Sequence, residues 1–432
     1  MRSPYLDSDR VYPPLGILYL KSYLNANGVE VGLEDEFDFD HPEKYEKYDA
    51  FGASVMTPQR EASLQFLEFC HKHYPGKPVV IGGPHAKHYL TEVEREPWDF
   101  IVPYDGQRAL LKIMSGSTQR VEMDFMDKQT WSGVERPDRV SQTAINMLSK
   151  YNYTLNGRRS TTMLTALGCP EKCLFCEDAQ TAVRWSSMSN ISSELDDIVT
   201  LGYRGVYIFD DLFAIALKMI RPICAELKKR DLVYRCNGQA RYFNEEFAAT
   251  LAETGCKEIA FGAESGSQKI LDNIQKRTTV EMNYRFVELC KKYGIVCKAF
   301  LMLGLPGETH ETIAATERFI KEAQPEDFQL SLYYPYLGTG LRDAIERGEN
   351  NFDLYFEGEG LGAYGQKGGS TESVVRTREL SSAELLSERD RLVKTYRPVS
   401  HSNKWETSVQ TDHFFDTHLK SQVEYSADKG KT

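Results

Sequence analysis

Six short apolar runs, separated by helical patterns, fill residues 161–335, and this alternation constrains the fold more than any other feature. The runs are "TTMLTA", "VYIF", "VYRCNG", "EIAFGA", "VCKAFLML" and "FQLSLYY". Helical periodicity between them covers 192–202, 214–230, 244–254, 279–293 and 309–323. Strands joined by helices of this length pair in parallel, because the crossover returns the chain to the same end of the sheet. Six such units in a row predict an open, partial (β/α)6 barrel. In parallel sheets of this kind the chemistry lies at the C-terminal ends of the strands.

The first region, 1–115, alternates as well. "PPLGILYLKSYLNANG" reads as a helix with one apolar face, stopped by Gly28. "VEVGL", "AFGAS", "PVVIGG" and "DFIVP" read as strands, and 59–73, 86–95 and 106–114 as helices. The fold class is therefore α/β, with an N-terminal doubly wound, Rossmann-like domain ahead of the barrel. Such a domain opens with a strand. Here Met1 stands just before the first turn, so that strand is either absent or upstream. Residues 116–160 read as a linker and 161–345 as the barrel core. An α-rich extension follows at 346–398, holding "GEGLGAYGQKGG" and the charged helix "SSAELLSERDRLVKTY". Residues 399–432 form a polar tail.

Composition removes several function classes. The formal charge of -11 disfavours loose binding to nucleic acid, which needs a clustered Lys/Arg surface. No apolar run is long enough for a membrane span, and "MRSPYLDSDR" lacks the apolar core of an export signal. The expected location is the cytoplasm. The nine cysteines make an odd count, and a disulfide framework would be unusual in a long chain without an export signal. Those at 70, 224, 236, 256, 290 and 297 are scattered and read mostly as buried apolar residues.

The other three crowd into "LTALGCPEKCLFCEDAQ", as Cys169, Cys173 and Cys176, directly after the first barrel strand. They therefore lie in the first βα loop. A structural zinc site needs four closed ligands, and a second C-x-x-C pair is missing. A redox pair of Cys173 and Cys176 leaves Cys169 unexplained. An iron–sulfur cluster on three thiolates fits best, because it keeps one iron open for a substrate or cofactor.

C-x-x-x-C-x-x-C after the first strand of a partial barrel resembles the signature of the radical S-adenosylmethionine (SAM) enzymes. The resemblance implies a 4Fe-4S cluster at Cys169, Cys173 and Cys176, whose open iron chelates SAM. One electron, from a flavodoxin- or ferredoxin-type reductant, then cleaves the sulfonium to a 5′-deoxyadenosyl radical. Phe175 would lie near the adenine, and Asp210 and Asp211 of "YIFDDLF" near the SAM ammonium. Capping of the next helix is the competing role for these two acids. In "FGAESGSQKILDNIQKRT", Glu264 would contact SAM, with Ser265 and Gly266 permitting close backbone approach. In "FLMLGLPGET", Gly304 and Gly307 would shape an adenine-side turn, and "PYLGTGL" resembles the sixth-strand end. Arg241, after "CNGQA", is either a further contact or a surface ion-pair partner. One departure is Leu167, where the family often carries Arg.

"YPPLGILYLKSYLNANGVEV", "SVMTPQ" and "VVIGGPHAKHY" resemble the cobalamin-binding domain that precedes many radical SAM barrels. That resemblance implies cobalamin as a second cofactor, with Thr57, Gly82, Gly83 and Pro84 near the corrin and His85 in the same loop. His88 shares the loop, but the D-x-H-x-x-G pattern of His-ligating relatives is absent. "VPYDGQRALL" departs from the Gly-Glu-Gly-Glu-like turn of relatives at Tyr104, Asp105, Gly106 and Gln107. The whole implies a class B, cobalamin-dependent C-methyltransferase acting on a small molecule. In that reaction one SAM methylates cobalamin and a second supplies the radical. Cyclisation, rearrangement or oxidation without methyl transfer is one alternative, and a non-catalytic cobalamin- or SAM-binding protein another. Methylthiolation of tRNA fits less well, because those relatives carry a further cysteine trio in their N-terminal domain. Tyr333, Tyr334 and the stretch 358–369 are candidates for a substrate pocket, with packing the alternative for the tyrosines.

Overall fold

A computed structural model describes residues 12–123, 136–151, 153–349, 353–358 and 372–396. The Gly-rich residues 359–369 and the tail 399–432 therefore lie outside the described residues.

The first unit contains α1 (Leu15–Ala26), β1 (Phe51–Ser54), α2 (Arg60–His73), β2 (Val79–Gly82), α3 (Pro84–His88), α4 (Leu90–Val93), β3 (Phe100–Val102) and α5 (Gly106–Met114). The strands are parallel in the order β1-β2-β3, with Phe51 opposite Val79 and Val80 opposite Phe100. Side chains alternate along a strand, so each face has its own core. Val79, Ile81 and Ile101 pack with Phe66, Leu67 and Cys70 of α2 and Val93 of α4. Val80 and Val102 face the other way, onto Ala109 and Ile113 of α5. Helices thus cover both faces.

"VEVGL" forms no strand, against expectation. The Val31 N–H goes to Asn25 Oδ1 at 3.1 Å, and its carbonyl accepts from Lys21 Nζ at 2.6 Å. Two side chains of α1 thus take the hydrogen bonds that a sheet neighbour would have supplied. The helical pattern at 86–95 divides at Tyr89, whose ψ of 34° is not helical.

The stretch 116–160, weak in periodicity, holds α6 (Gln142–Leu148) and β4 (Tyr153–Leu155). β4 turns back antiparallel onto β5 (Arg158–Met163). Five parallel strands follow: β8 (Gly205–Ile208), β9 (Val233–Gly238), β10 (Cys256–Glu264), β11 (Val296–Leu303) and β12 (Asp327–Leu332). The sheet order β12-β11-β10-β9-β8-β5-β4 is that of a half-barrel, with all six predicted strands present. The crossovers carry α7 (Met188–Thr200), α8 (Leu217–Lys229), α9 (Glu245–Glu253), α10 (Gln268–Asn273), α11 (Val280–Tyr293) and α12 (His310–Ala323).

Local chemistry sets the helix ends. Ser187, Asn244, Thr279 and Thr309 each accept a backbone N–H two or three residues into the following helix. α11 stops at Gly294, with φ of +67°. Alternate strand residues such as Ile208, Cys236, Phe261, Leu301 and Leu330 face the helices and form the main core. The six scattered cysteines are buried and unbridged, as apolar core residues would be. Beyond the barrel, α13 (Gly340–Glu346), β13 (Leu354–Phe356), β14 (Val375–Thr377) and α14 (Ser382–Tyr396) pack on its last strands. No helix among the described residues is long and apolar enough to cross a membrane.

Candidate active site

The three clustered cysteines sit on a loop closed at its base by a small ribbon, β6 (Ala166–Leu167) paired with β7 (Arg184–Trp185). Leu167 is opposite Arg184 in that ribbon. Gly168 turns the chain at φ +94°, and a Cβ there would stand 2.4 Å from the Ala182 carbonyl oxygen. The loop is stitched across by Cys169 N–H to Thr181 Oγ1 (2.8 Å) and Gln180 N–H to the Glu171 carbonyl (2.7 Å). Leu174 ties it to the barrel: its N–H donates to the Ile274 carbonyl, and its carbonyl accepts from Leu341 N–H at the start of α13.

Cys173 is buried and Cys169 and Cys176 are half-buried. Burial pushes all three thiols up to about 11. Metal binding must therefore displace protons from them. Among the described residues no three His, Cys, Asp or Glu side chains converge on a single ion. Three thiols on one loop fit a four-iron cluster in which each thiolate takes a different iron and one iron stays open.

Both acids after β8 serve this loop and neither caps a helix; α8 begins at Leu217 behind Ala216. Asp210 accepts from Thr165 N–H (2.7 Å) and from the Thr165 hydroxyl (2.5 Å), and burial pushes its carboxyl up to about 7. Asp211 Oδ2 accepts from Gly168 N–H at 2.8 Å. Arg241 is an ion-pair partner, as one of its two readings had it. It lies 3.6 Å from the buried Glu171, which also accepts the Tyr242 hydroxyl.

Glu264 ends β10 at φ +60°, a left-handed conformation rare outside glycine. Its Oε1 meets Lys276 Nζ at 2.6 Å, and that ammonium stands 5.8 Å from the centre of the Phe175 ring. Ser265 turns into the fold: its hydroxyl is buried against Thr316 Oγ1 at 3.1 Å. The close approach at Gly266 is to α12, where a Cβ would stand 2.4 Å from the Ala315 carbonyl. Gly304 and Gly307 shape their turn at φ +84° and +81°. Glu308 fills it, accepting from Gly304 N–H and the Thr312 hydroxyl, and burial pushes its carboxyl up to about 7. Tyr333 and Tyr334 are buried in the barrel core, the packing alternative.

The loops after β1 and β2 face this assembly. Thr57 opens a 3-10 turn, Thr57–Gln59. Gly82 and Gly83 lead into Pro84 at the start of α3. A Cβ on Gly83 would stand 2.7 Å from Val55 N, so the loops after β1 and β2 lie against each other. His85 is 1% exposed and faces Tyr89 at 5.1 Å; burial, with Arg60 nearby, holds it down to about 4. His88 points the other way, its Nε2 2.6 Å from Glu177 Oε2, next to Cys176. Lys87 lies 4.0 Å from Asp178, and Asp105 pairs with Arg184 at 2.9 Å. The two regions that the sequence marks for two cofactors are thereby held together by three charged contacts.

Sequence reasoning named Asp210, Asp211, Glu264 and the cysteines, but missed Lys276, Glu171 and Glu308. A lysine or glutamate burying its charge carries no periodic signal.

Residues 163–320 match the sequence model of the Radical SAM superfamily. An uncharacterised methyltransferase of Pyrococcus horikoshii is 25% identical over 355 residues, covering 76% of this chain and 77% of that protein. An anaerobic magnesium-protoporphyrin IX monomethyl ester cyclase of Rubrivivax gelatinosus is 25% identical over 422 residues, covering 89% and 73%. The fold is similar to that of the radical SAM methyltransferase TsrM from Kitasatospora setae, solved with cobalamin and a [4Fe-4S] cluster. There the TM-score is 0.67 at 18% identity, over 82% of this chain and 76% of that one. It is also similar to the cobalamin-dependent radical SAM enzyme OxsB, with a TM-score of 0.62 at 20% identity, over 78% and 53%.

Proposed function

The chain carries a radical SAM domain at residues 163–320, and from that premise we propose that it is a cobalamin-dependent C-methyltransferase of a small-molecule substrate. The observation that carries this reading is the apposition of the segments after β2 and β3 with the cysteine loop and the ribbon at its base, through His88–Glu177 and Asp105–Arg184. Methyl transfer to a carbon radical needs a methyl donor and a radical source on opposite sides of one substrate space. When bound, the cluster with SAM supplies a 5′-deoxyadenosyl radical, and cobalamin supplies the methyl group.

This chain's residues do the positioning. Cys169, Cys173 and Cys176 would hold the cluster, and Thr165, Gly168 and Glu171 fix the shape of their loop through Asp210, Asp211 and Arg241. Glu264 offers a carboxylate to the SAM ammonium, beside Phe175. Thr57, Gly82, Gly83 and Pro84 would lie beside the corrin. His85, buried against Tyr89, contributes packing to that loop. A flavodoxin- or ferredoxin-type protein in the cytoplasm is the proposed electron donor.

The test is anaerobic reconstitution with iron, sulfide and hydroxocobalamin, then turnover. Retained cobalamin near one per chain, with S-adenosylhomocysteine and 5′-deoxyadenosine both formed, supports methyl transfer. The cyclase relative favours a second reading, radical chemistry without methyl transfer, in which deoxyadenosine forms without S-adenosylhomocysteine. SAM that is never cleaved by reduced, cluster-loaded protein would point to a binding role.

A further inference from the structure

Lys276 is a buried cation that the chain works to keep in place. It lies between α10 and α11, and the residues on both sides, Gln275 and Arg277, are non-glycines at φ +54° and +59°. Each such residue costs about 1 kcal/mol or more of backbone strain. Ile274, at the start of the same loop, accepts the N–H of Leu174, the neighbour of Cys173. The turn that points Lys276 inward is therefore bolted to the cysteine loop. The side chain is 8% exposed, its Nζ 2.6 Å from Glu264 Oε1 and 5.8 Å from the Phe175 ring centre. Burial works against its charge, and the Glu264 carboxylate works for it. The ammonium stands over the ring of Phe175, which lies between Cys173 and Cys176 in the loop. The acids around the loop are engaged elsewhere. Glu171 is held by Arg241 and Tyr242, Asp211 by the Gly168 amide and Glu177 by His88.

We propose that Lys276 is a charge-positioning residue for the cluster, its buried ammonium over the Phe175 ring of the cysteine loop favouring the one-electron-reduced state while it holds Glu264 in place. This rests on the cluster reading above. Reduction adds one negative charge, and a cation in a poorly solvated site stabilises that charge with little screening. The electron comes from titanium(III) citrate, which becomes titanium(IV), and no proton moves.

The experiment is an anaerobic redox titration with titanium(III) citrate, read by the EPR signal of the reduced cluster, with iron and acid-labile sulfide measured per chain. Lys276→Met should lower the potential, so that at the wild-type midpoint the ratio of reduced to oxidised cluster falls about fivefold or more. Lys276→Arg should keep it near wild type, and Glu264→Gln, which leaves the cation without its counter-charge, should raise it. If Lys276 only neutralised Glu264, the double variant Lys276→Met/Glu264→Gln would return to the wild-type potential; on this proposal it stays low. Should Lys276→Met fail to fold, the upward shift of Glu264→Gln carries the test. Unchanged potentials in variants with a full cluster overturn the proposal. Wild-type protein that assembles no four-iron cluster overturns the cluster reading itself.

Discussion

His88 Nε2 stands 2.6 Å from Glu177 Oε2, and this contact joins the loop after β2 to the residue that follows Cys176. The hydrogen bond from His88 holds the Glu177 carboxyl below its usual range. The pair is partly open to water, so its contribution to stability is small, about 1 kcal/mol or less. Its role is geometric. His88→Ala should leave iron and sulfide content unchanged, weaken cobalamin retention after desalting, and lower the melting temperature by only a few degrees. Full cobalamin retention in His88→Ala would remove the contact from any part in holding the crevice.

The two groups of cysteines should separate cleanly. Cys169→Ala, Cys173→Ala and Cys176→Ala should each lose the cluster's iron, its visible absorbance and all deoxyadenosine formation. Cys224→Ala or Cys297→Ala, in the core, should keep full iron content while losing about 1–2 kcal/mol of stability to a small cavity. Iron and sulfide assays on the reconstituted variants decide this.

Asp210 anchors the end of β5 to that of β8. Asp210→Ala leaves the Thr165 N–H and hydroxyl without their buried partner, a loss of about 2–3 kcal/mol. Asp210→Asn keeps the shape and one acceptor, so it should lose far less. Denaturant midpoints of the two apo-proteins test this, and equal losses would show that the hydrogen bonds to Thr165 are not what matters.

Gly266 admits no side chain. A Cβ there would stand 2.4 Å from the Ala315 carbonyl oxygen and 2.7 Å from Thr316 Cα, both in the backbone of α12. Gly266→Ala should destabilise by about 1–3 kcal/mol and disturb the neighbouring Glu264. Urea unfolding together with SAM affinity would reveal it; an unchanged midpoint would mean that α12 yields easily.

His85 should make stability depend on pH. Its folded value is about 4 against an ordinary 6.5, so the unfolded chain takes up the proton first. The stability contributed by neutral His85 is complete above pH 6.5 and is lost as pH falls towards 4. Between these limits the loss is on the order of 2–3 kcal/mol. His85→Leu should lack this component, so the difference in unfolding free energy between wild type and variant should move against wild type from pH 7 to 4.5. A constant difference would contradict the burial of this imidazole.

The sequence by itself determined the order of strands and helices in the barrel, the position of the cysteine loop and the turns at Gly304 and Gly307. These are local matters: periodicity, caps such as Thr309 and Asn244, and residue spacing act over a few residues. "VEVGL" marks the limit, because a short apolar run becomes a strand only if a neighbour pairs with it, and here Asn25 and Lys21 take its hydrogen bonds. Only the tertiary structure decided which charges meet. Lys276 and Glu264 are 12 residues apart, Asp210 and Thr165 45, and Arg184 and Asp105 79. Nothing in the sequence between such partners records the pairing. It arises because folding buries each polar group where a satisfied partner lowers its free energy, and that place exists only once the half-barrel and the first sheet have come together.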